Sequence, residues 1–117
     1  MKKKLFIVLI AIIVPFAAWA ATQSRGSGLL QASAVVSSKP VAITSFEVLT
    51  DGSNAATVTV YDNATTGSGT VISKIVCTGA ANFCGQTWDV PRYCSNGIYV
   101  SISGTGAGAI VEYLPNN

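Results

Sequence analysis

The chain contains 117 residues, the length of one small domain; half of them are hydrophobic and only 10% are charged. Lys2, Lys3 and Lys4 account for three of the seven basic residues, so residues 21–117 carry four basic and five acidic residues, a net charge of −1. No basic patch remains that would neutralise a phosphate backbone, which argues against nucleic-acid binding.

Residues 1–20 have the pattern of a secretion signal. Three lysines precede an apolar run that begins at Leu5, and Ala18-Trp19-Ala20 fits a small-x-small cleavage motif with Ala21 as the first mature residue. The alternative is an uncleaved membrane anchor, because the apolar run reaches 17 residues when counted through Ala21, the lower edge of what spans a bilayer. Both alternatives place the remaining chain outside the cytoplasm. We therefore expect an exported domain that is periplasmic, extracellular or part of a virion.

The exported part has the composition of a β protein. Residues 21–28 are polar and rich in glycine, which predicts a flexible linker to a domain of residues 29–117. In that domain, short alternating runs of Thr, Val, Ile and Ser are separated by turn residues. The predicted strands cover residues 29–36, 41–50, 57–62, 70–77, 87–90, 98–103 and 109–114.

Local features refine these strands. The apolar phase of the second strand changes between Ile43 and Phe46, which predicts a bulge near Thr44-Ser45. Residues 78–97 are expected to be irregular apart from 87–90, since Pro91 cannot donate to a ladder and would end that strand. Short strands without a helical period predict a single antiparallel β-sandwich, either jelly-roll-like or immunoglobulin-like in its connections.

The third strand, residues 57–62, alternates most clearly. Val58 and Val60 are predicted on the core face, with Thr59 and Tyr61 on the opposite face. Thr59→Asp is therefore expected to be mild, whereas an aspartate at Val58 should prevent folding.

The exported part contains three cysteines. In an oxidising compartment, two of them would pair and one would remain free. We favour Cys84–Cys94, which would close a loop-rich stretch, with Cys77–Cys84 as the next choice. The alternative is three buried thiols that act as small hydrophobic residues.

Titratable residues give no sign of an enzyme, a metal or a cofactor. The chain has no histidine, its five acids are scattered singly, and no residue is placed to act as a base for a free cysteine. Asp51 and Asp62 lie in or beside turns, where an aspartate accepts hydrogen bonds from nearby backbone N–H groups. This role is favoured over calcium binding, because the spacing of a calcium-binding loop is absent.

Tyr61 and Tyr99 form a candidate interaction surface. Both alternate with the Val and Ile residues of their strands and so face away from the predicted core. An outward aromatic patch would suit a partner surface or a glycan. The alternative is that both faces of the sheet are partly covered.

Two blocks of sequence carry a family resemblance: TVTVYDNATTGSGTVISKI at residues 57–75 and NGIYVSISGTGAGAIVEYLP at residues 96–115. They resemble a group of small phage virion proteins with the pattern VxVYDN…sGTv followed by GiYVsxsGtga. The resemblance implies a compact β-sandwich domain on a capsid, tail or spike. The N-terminal signal and the three cysteines depart from most proteins of this kind; both would suit a phage with an internal membrane, or a secreted host protein of similar fold.

These observations predict a non-enzymatic structural protein. We expect a capsid, spike or membrane-associated coat component that self-assembles or binds other coat proteins, with contact to the membrane through residues 1–20 if they are not cleaved. A freely diffusing domain usually carries about a quarter charged residues, and the low charge here suits a surface that is covered by neighbours. The alternative is a secreted adhesion or carbohydrate-binding β-sandwich module.

Overall fold

A computed structural model describes residues 24–115, and the predicted signal or anchor, including the cleavage position between Ala20 and Ala21, lies outside this range. The described chain forms eight strands: β1 (Arg25–Gly26), β2 (Ala34–Ser37), β3 (Val41–Leu49), β4 (Ala56–Asp62), β5 (Thr70–Cys77), β6 (Phe83–Cys94), β7 (Ile98–Ser103) and β8 (Gly108–Pro115). One 3-10 turn, Gly79–Ala81, links β5 to β6. In residues 24–115, no helix is long and apolar enough to cross a membrane.

The strands form two antiparallel sheets of four strands each, which confirms the predicted all-β class. The first sheet has the order β1-β8-β3-β6 and the second has the order β2-β7-β4-β5. The first strand therefore pairs with the eighth, the second with the seventh, the third with the sixth and the fourth with the fifth. This is the pairing of one long hairpin that has been curled over on itself, and it leaves β1 and β6 at the edges of the first sheet.

The core lies between the two sheets, because alternate residues of the central strands point inward. The predicted core positions Val58 and Val60 on β4 and Val100 on β7 are fully buried. They share one cluster with side chains of the other sheet, such as Phe46. Each large aliphatic side chain buried in this way contributes about 1.5–3 kcal/mol to folding.

The predicted bulge in β3 is confirmed and centres on Thr44. Ile43 lies opposite Arg92 and Tyr113, whereas Ser45 lies opposite Thr87 and Glu112, so the register shifts on both sides of the strand. Because of this extra residue, the side chain of Phe46 points inward as that of Ile43 does, and both are fully buried.

The prediction of an irregular stretch over residues 78–97 is wrong. β6 runs through most of it, from Phe83 to Cys94, and Pro91 lies inside the strand. Two facts explain why this proline is tolerated. β6 is an edge strand, and the four residues Trp88 to Pro91 lie in the register gap opposite Thr44, where β6 is not paired with β3.

The start of the domain also differs from the prediction. β1 lies inside the expected linker of residues 21–28, and its pairing with β8 continues through Ser27, whose backbone N–H donates to the Val111 carbonyl (2.8 Å). The expected first strand, residues 29–36, is divided. Leu30 bridges to Ala109 in the first sheet, and the chain then crosses to the second sheet as β2.

Candidate interaction surface

The outer face of the second sheet carries a row of four apolar or aromatic side chains, one from each strand. The strand register places Tyr61 of β4 directly opposite Tyr99 of β7. Tyr99 lies opposite Val35 of β2, and Tyr61 lies opposite Val71 of β5. We call Val35, Tyr99, Tyr61 and Val71 the cross-strand row.

The two ends of the row are more exposed than its middle. Val35 and Val71 are 44% and 51% exposed, whereas Tyr61 and Tyr99 are half-buried. A register shift between Val60 and Tyr61 inserts one extra residue, Ile72, into β5; strict alternation from Ile75 would otherwise place Val71 on the inner face. Because of this bulge, Ile72 packs against the core instead and Val71 joins the outer row.

The loop of residues 63–69 partly covers the tyrosines. The Asn63 side chain shapes this loop: its Oδ1 accepts the backbone N–H groups of Thr65 and Thr66, and its Nδ2 donates to the Ser68 carbonyl. A Cβ atom at Gly67 would lie 3.2 Å from Tyr99 Cε1 and 3.5 Å from Tyr61 Cε2. The backbone of Gly67 therefore packs against both rings, and the tyrosines are neither open to solvent nor part of the core.

Beyond the row, the same face is polar with little charge. The next positions across the sheet are Ser101, Thr59 and Lys74, and the positions after them are Ser103, Thr57 and Val76. Thr59, expected on an open face, is only 9% exposed because it lies in a central strand between two neighbours. Lys74 is the one charged side chain in these rows of described residues.

The disulfide bond links Cys77 to Cys84, with Cα atoms 5.7 Å apart, and leaves Cys94 free and buried. The favoured pairing, Cys84–Cys94, is therefore wrong, and the second choice is the one that forms. The physical reason is the length of β6. Cys84 lies opposite Val48 near one end of β3 and Cys94 lies opposite Val41 at the other end, so a continuous strand keeps the two sulfurs apart. The bond that forms ties the edge strand of one sheet to the edge strand of the other.

The environment of Cys94 opposes a nucleophilic role. Burial, followed by the nearby negative charge of Asp62, raises the pKa of the Cys94 thiol to about 11. A thiol with a raised pKa is almost entirely protonated at neutral pH, and the thiolate is the reactive form. Cys94 therefore packs as a small hydrophobic residue.

Asp51 caps the turn between β3 and β4, as predicted. Its carboxylate accepts hydrogen bonds from the backbone N–H groups of Ser53 (2.9 Å) and Asn54 (2.7 Å) and from the Asn54 side-chain amide (2.8 Å). These donors, the Asn54 backbone first, lower the pKa of Asp51 to about 2. The oxygens that would bind a cation are thus engaged by N–H groups.

Asp62 has a role that sequence reasoning missed, since its partners lie in a distant turn. The carboxylate accepts hydrogen bonds from the backbone N–H groups of Ser95 (3.1 Å), Asn96 (2.7 Å) and Gly97 (3.3 Å), and from the Ser95 hydroxyl (3.0 Å). Burial alone would raise the pKa of Asp62, but the hydrogen bonds outweigh it and the pKa lies below the ordinary value. Gly97 is required there, because its φ is +141° and a side chain would meet the Ser37 carbonyl.

Comparison of the chain with models of known protein families, with curated proteins and with solved structures gives no match. Among residues 24–115, no group of three or more acidic, histidine or cysteine side chains is placed to hold a metal ion.

Proposed function

We propose that the chain is a non-enzymatic structural protein of a phage virion, a capsid, spike or membrane-associated coat component that assembles with copies of itself or with other coat proteins. The observation that carries the proposal is the cross-strand row. Interface cores are enriched in aromatic residues and depleted in charged ones. The row runs across all four strands of the second sheet, on a face where Lys74 is the one charged side chain among the described residues of the paired rows.

The strand order supports the same function. The orders β1-β8-β3-β6 and β2-β7-β4-β5 fit an eight-stranded jelly roll better than an immunoglobulin domain, whose sheets have the orders ABED and CFG. Jelly rolls recur in viral capsid proteins and in lectins. The fold class alone is an analogy, and the low charge and the cross-strand row favour assembly over a freely diffusing lectin.

The exposed ends of the row provide the test. Val35→Ser with Val71→Ser removes apolar area that is already accessible, so folding should be unaffected while self-association of the exported protein weakens by about tenfold. Sedimentation velocity over a range of concentrations measures this effect. These valines are better targets than the tyrosines, because replacing Tyr61 or Tyr99 would also release the loop of residues 63–69.

A matched control lies away from the cross-strand row. Leu29→Ser with Phe83→Ser removes apolar side chains of similar exposure, 57% and 63%, from outside the cross-strand row, and this variant should assemble like the wild type. A wild-type protein that stays monomeric at high concentration and binds glycans would refute the coat-protein proposal in favour of the adhesion or carbohydrate-binding alternative.

A further inference from the structure

The unpaired segment of β6 forms a projecting tip. Trp88 to Pro91 occupy the register gap opposite Thr44, and the tip residue Val90 is 80% exposed, the most exposed of the large hydrophobic side chains described. Its neighbours Asp89 and Pro91 are also exposed. We call Asp89-Val90-Pro91 the β6 tip.

The base of the tip is anchored, so the tip has a fixed shape. The Trp88 ring stacks on Phe46 of the core at a centroid distance of 6.1 Å. The Arg92 guanidinium lies over the Trp88 indole, 5.5 Å from the ring centroid. Pro91 also fixes its own φ angle. A tip that is ordered before binding loses less conformational entropy when it docks.

A basic pocket lies at one end of the same sheet, where β1, the end of β8 and the start of β3 meet. It has a volume of about 210 Å³, and its lining includes Arg25 of β1, Lys39, Tyr113 of β8, and the apolar residues Pro40 and Pro115. Arg25 and Lys39 are two of the four basic residues in residues 24–115, and none of the lining residues is acidic. The pocket therefore combines concentrated positive charge with an apolar wall.

We propose that the β6 tip of one copy inserts into this basic pocket of a second copy. Asp89 supplies the negative charge that Arg25 and Lys39 attract, and Val90 supplies an apolar group that can pack against Pro40 and Pro115. The pocket is smaller than the roughly 300–1,000 Å³ of sites that hold drug-sized ligands, and this size suits one or two inserted side chains.

The position of the two surfaces determines the kind of assembly. The β6 tip and the basic pocket are different surfaces of the molecule, so one tip-to-pocket contact joins two copies head-to-tail and leaves a second tip and a second pocket free. A projection that fits a pocket elsewhere on the same molecule generates a ring when the rotation closes and a filament when it does not. This inference rests on the proposed function, since it requires self-association, and it adds a contact separate from the cross-strand row.

Charge reversal across the contact tests the inference on the exported protein. Asp89→Lys and Lys39→Glu should each weaken self-association by about tenfold, because each change places like charges together. The double variant, with the charges exchanged, should recover at least half of the lost free energy of association. Sedimentation velocity at low salt measures the association constants of the two single variants and the double variant. Thermal unfolding checks that each variant is folded.

Controls make the outcomes distinct. Glu47→Lys reverses an exposed charge that belongs neither to the β6 tip nor to the pocket nor to the face of the cross-strand row, and should leave this contact unchanged. Arg25→Glu provides a second pocket variant should Lys39→Glu fold poorly. Assembly that persists in both single variants overturns the inference and leaves the proposed function standing. A wild-type protein that stays monomeric at every concentration overturns both.

Discussion

The Cys77–Cys84 disulfide bond gives a stability prediction that can be calculated from its position in the chain. The bond closes a loop with a sequence separation of seven residues. In the chain-entropy model, a loop of this length restricts the unfolded chain by about 2.4 kcal/mol at 25 °C. Reduction of the bond should therefore lower the free energy of unfolding by about that amount, equivalent to a fall in Tm of about 10–20 °C for a domain of this size.

Reduction is a cleaner perturbation than mutation, because both sulfur atoms remain in place. Cys77 is fully buried, and an alanine there would add a packing defect to the loss of the cross-link. Urea denaturation of the protein with and without reductant measures the difference in the free energy of unfolding. The Cys94→Ala variant should show the same difference, since Cys94 takes no part in the bond.

The same samples test the bond itself. Under denaturing, non-reducing conditions one thiol per chain should react, and three should react after reduction. Three reactive thiols before reduction would show that the bond is absent. Equal urea midpoints for the oxidised and the reduced protein would show that the bond does not constrain the unfolded chain.

Two further predictions concern β4. Asp62→Asn weakens the cap on the Ser95–Gly97 turn and should cost about 1–2 kcal/mol at pH 7, at the low end for bonds to a charged group because the carboxylate is partly exposed. Because folding lowers the pKa of Asp62, its contribution is present above the unfolded pKa of about 3.9 and is lost as the pH falls through the folded pKa. The variant and the wild type should therefore differ less in their free energy of unfolding, measured by urea denaturation, in acid than at pH 7. An equal difference at pH 7 and in strong acid would contradict the explanation by the charge of Asp62. Val58→Asp should prevent folding, because it places an unpaired charge in a fully buried position. Thr59→Asp should cost only about 1–2 kcal/mol, because Thr59 faces outward opposite Lys74 although it is nearly buried. Circular dichroism and urea midpoints distinguish the two, and equal damage would mean that the faces of β4 are wrongly assigned.

The successes of the sequence interpretation share a local cause. The alternation of Val58 and Val60 with polar residues, and the phase change between Ile43 and Phe46, depend on neighbours within one strand. Periodicity of two is a property of the extended backbone itself, so such patterns predict strands, their inward faces and even a bulge without knowledge of the partner strand.

The errors arose where a residue's role depends on a strand that is distant in sequence. Pro91 was expected to end a strand, and only the position of β6 at a sheet edge makes it acceptable. The cysteine pairing turned on whether the chain between Cys84 and Cys94 was a loop or a continuous strand.

The same distinction between local pattern and distant contact applies to the candidate surfaces. The sequence by itself determined that Tyr61 and Tyr99 face away from the core, since this follows from alternation. Only the tertiary structure decided that they lie opposite each other beneath Gly67, that Asp62 caps a turn more than thirty residues away, and that Arg25 and Lys39 share one pocket. The physical reason is that the side-chain period is fixed by the local backbone, whereas register and strand order are fixed by which apolar faces can be buried together.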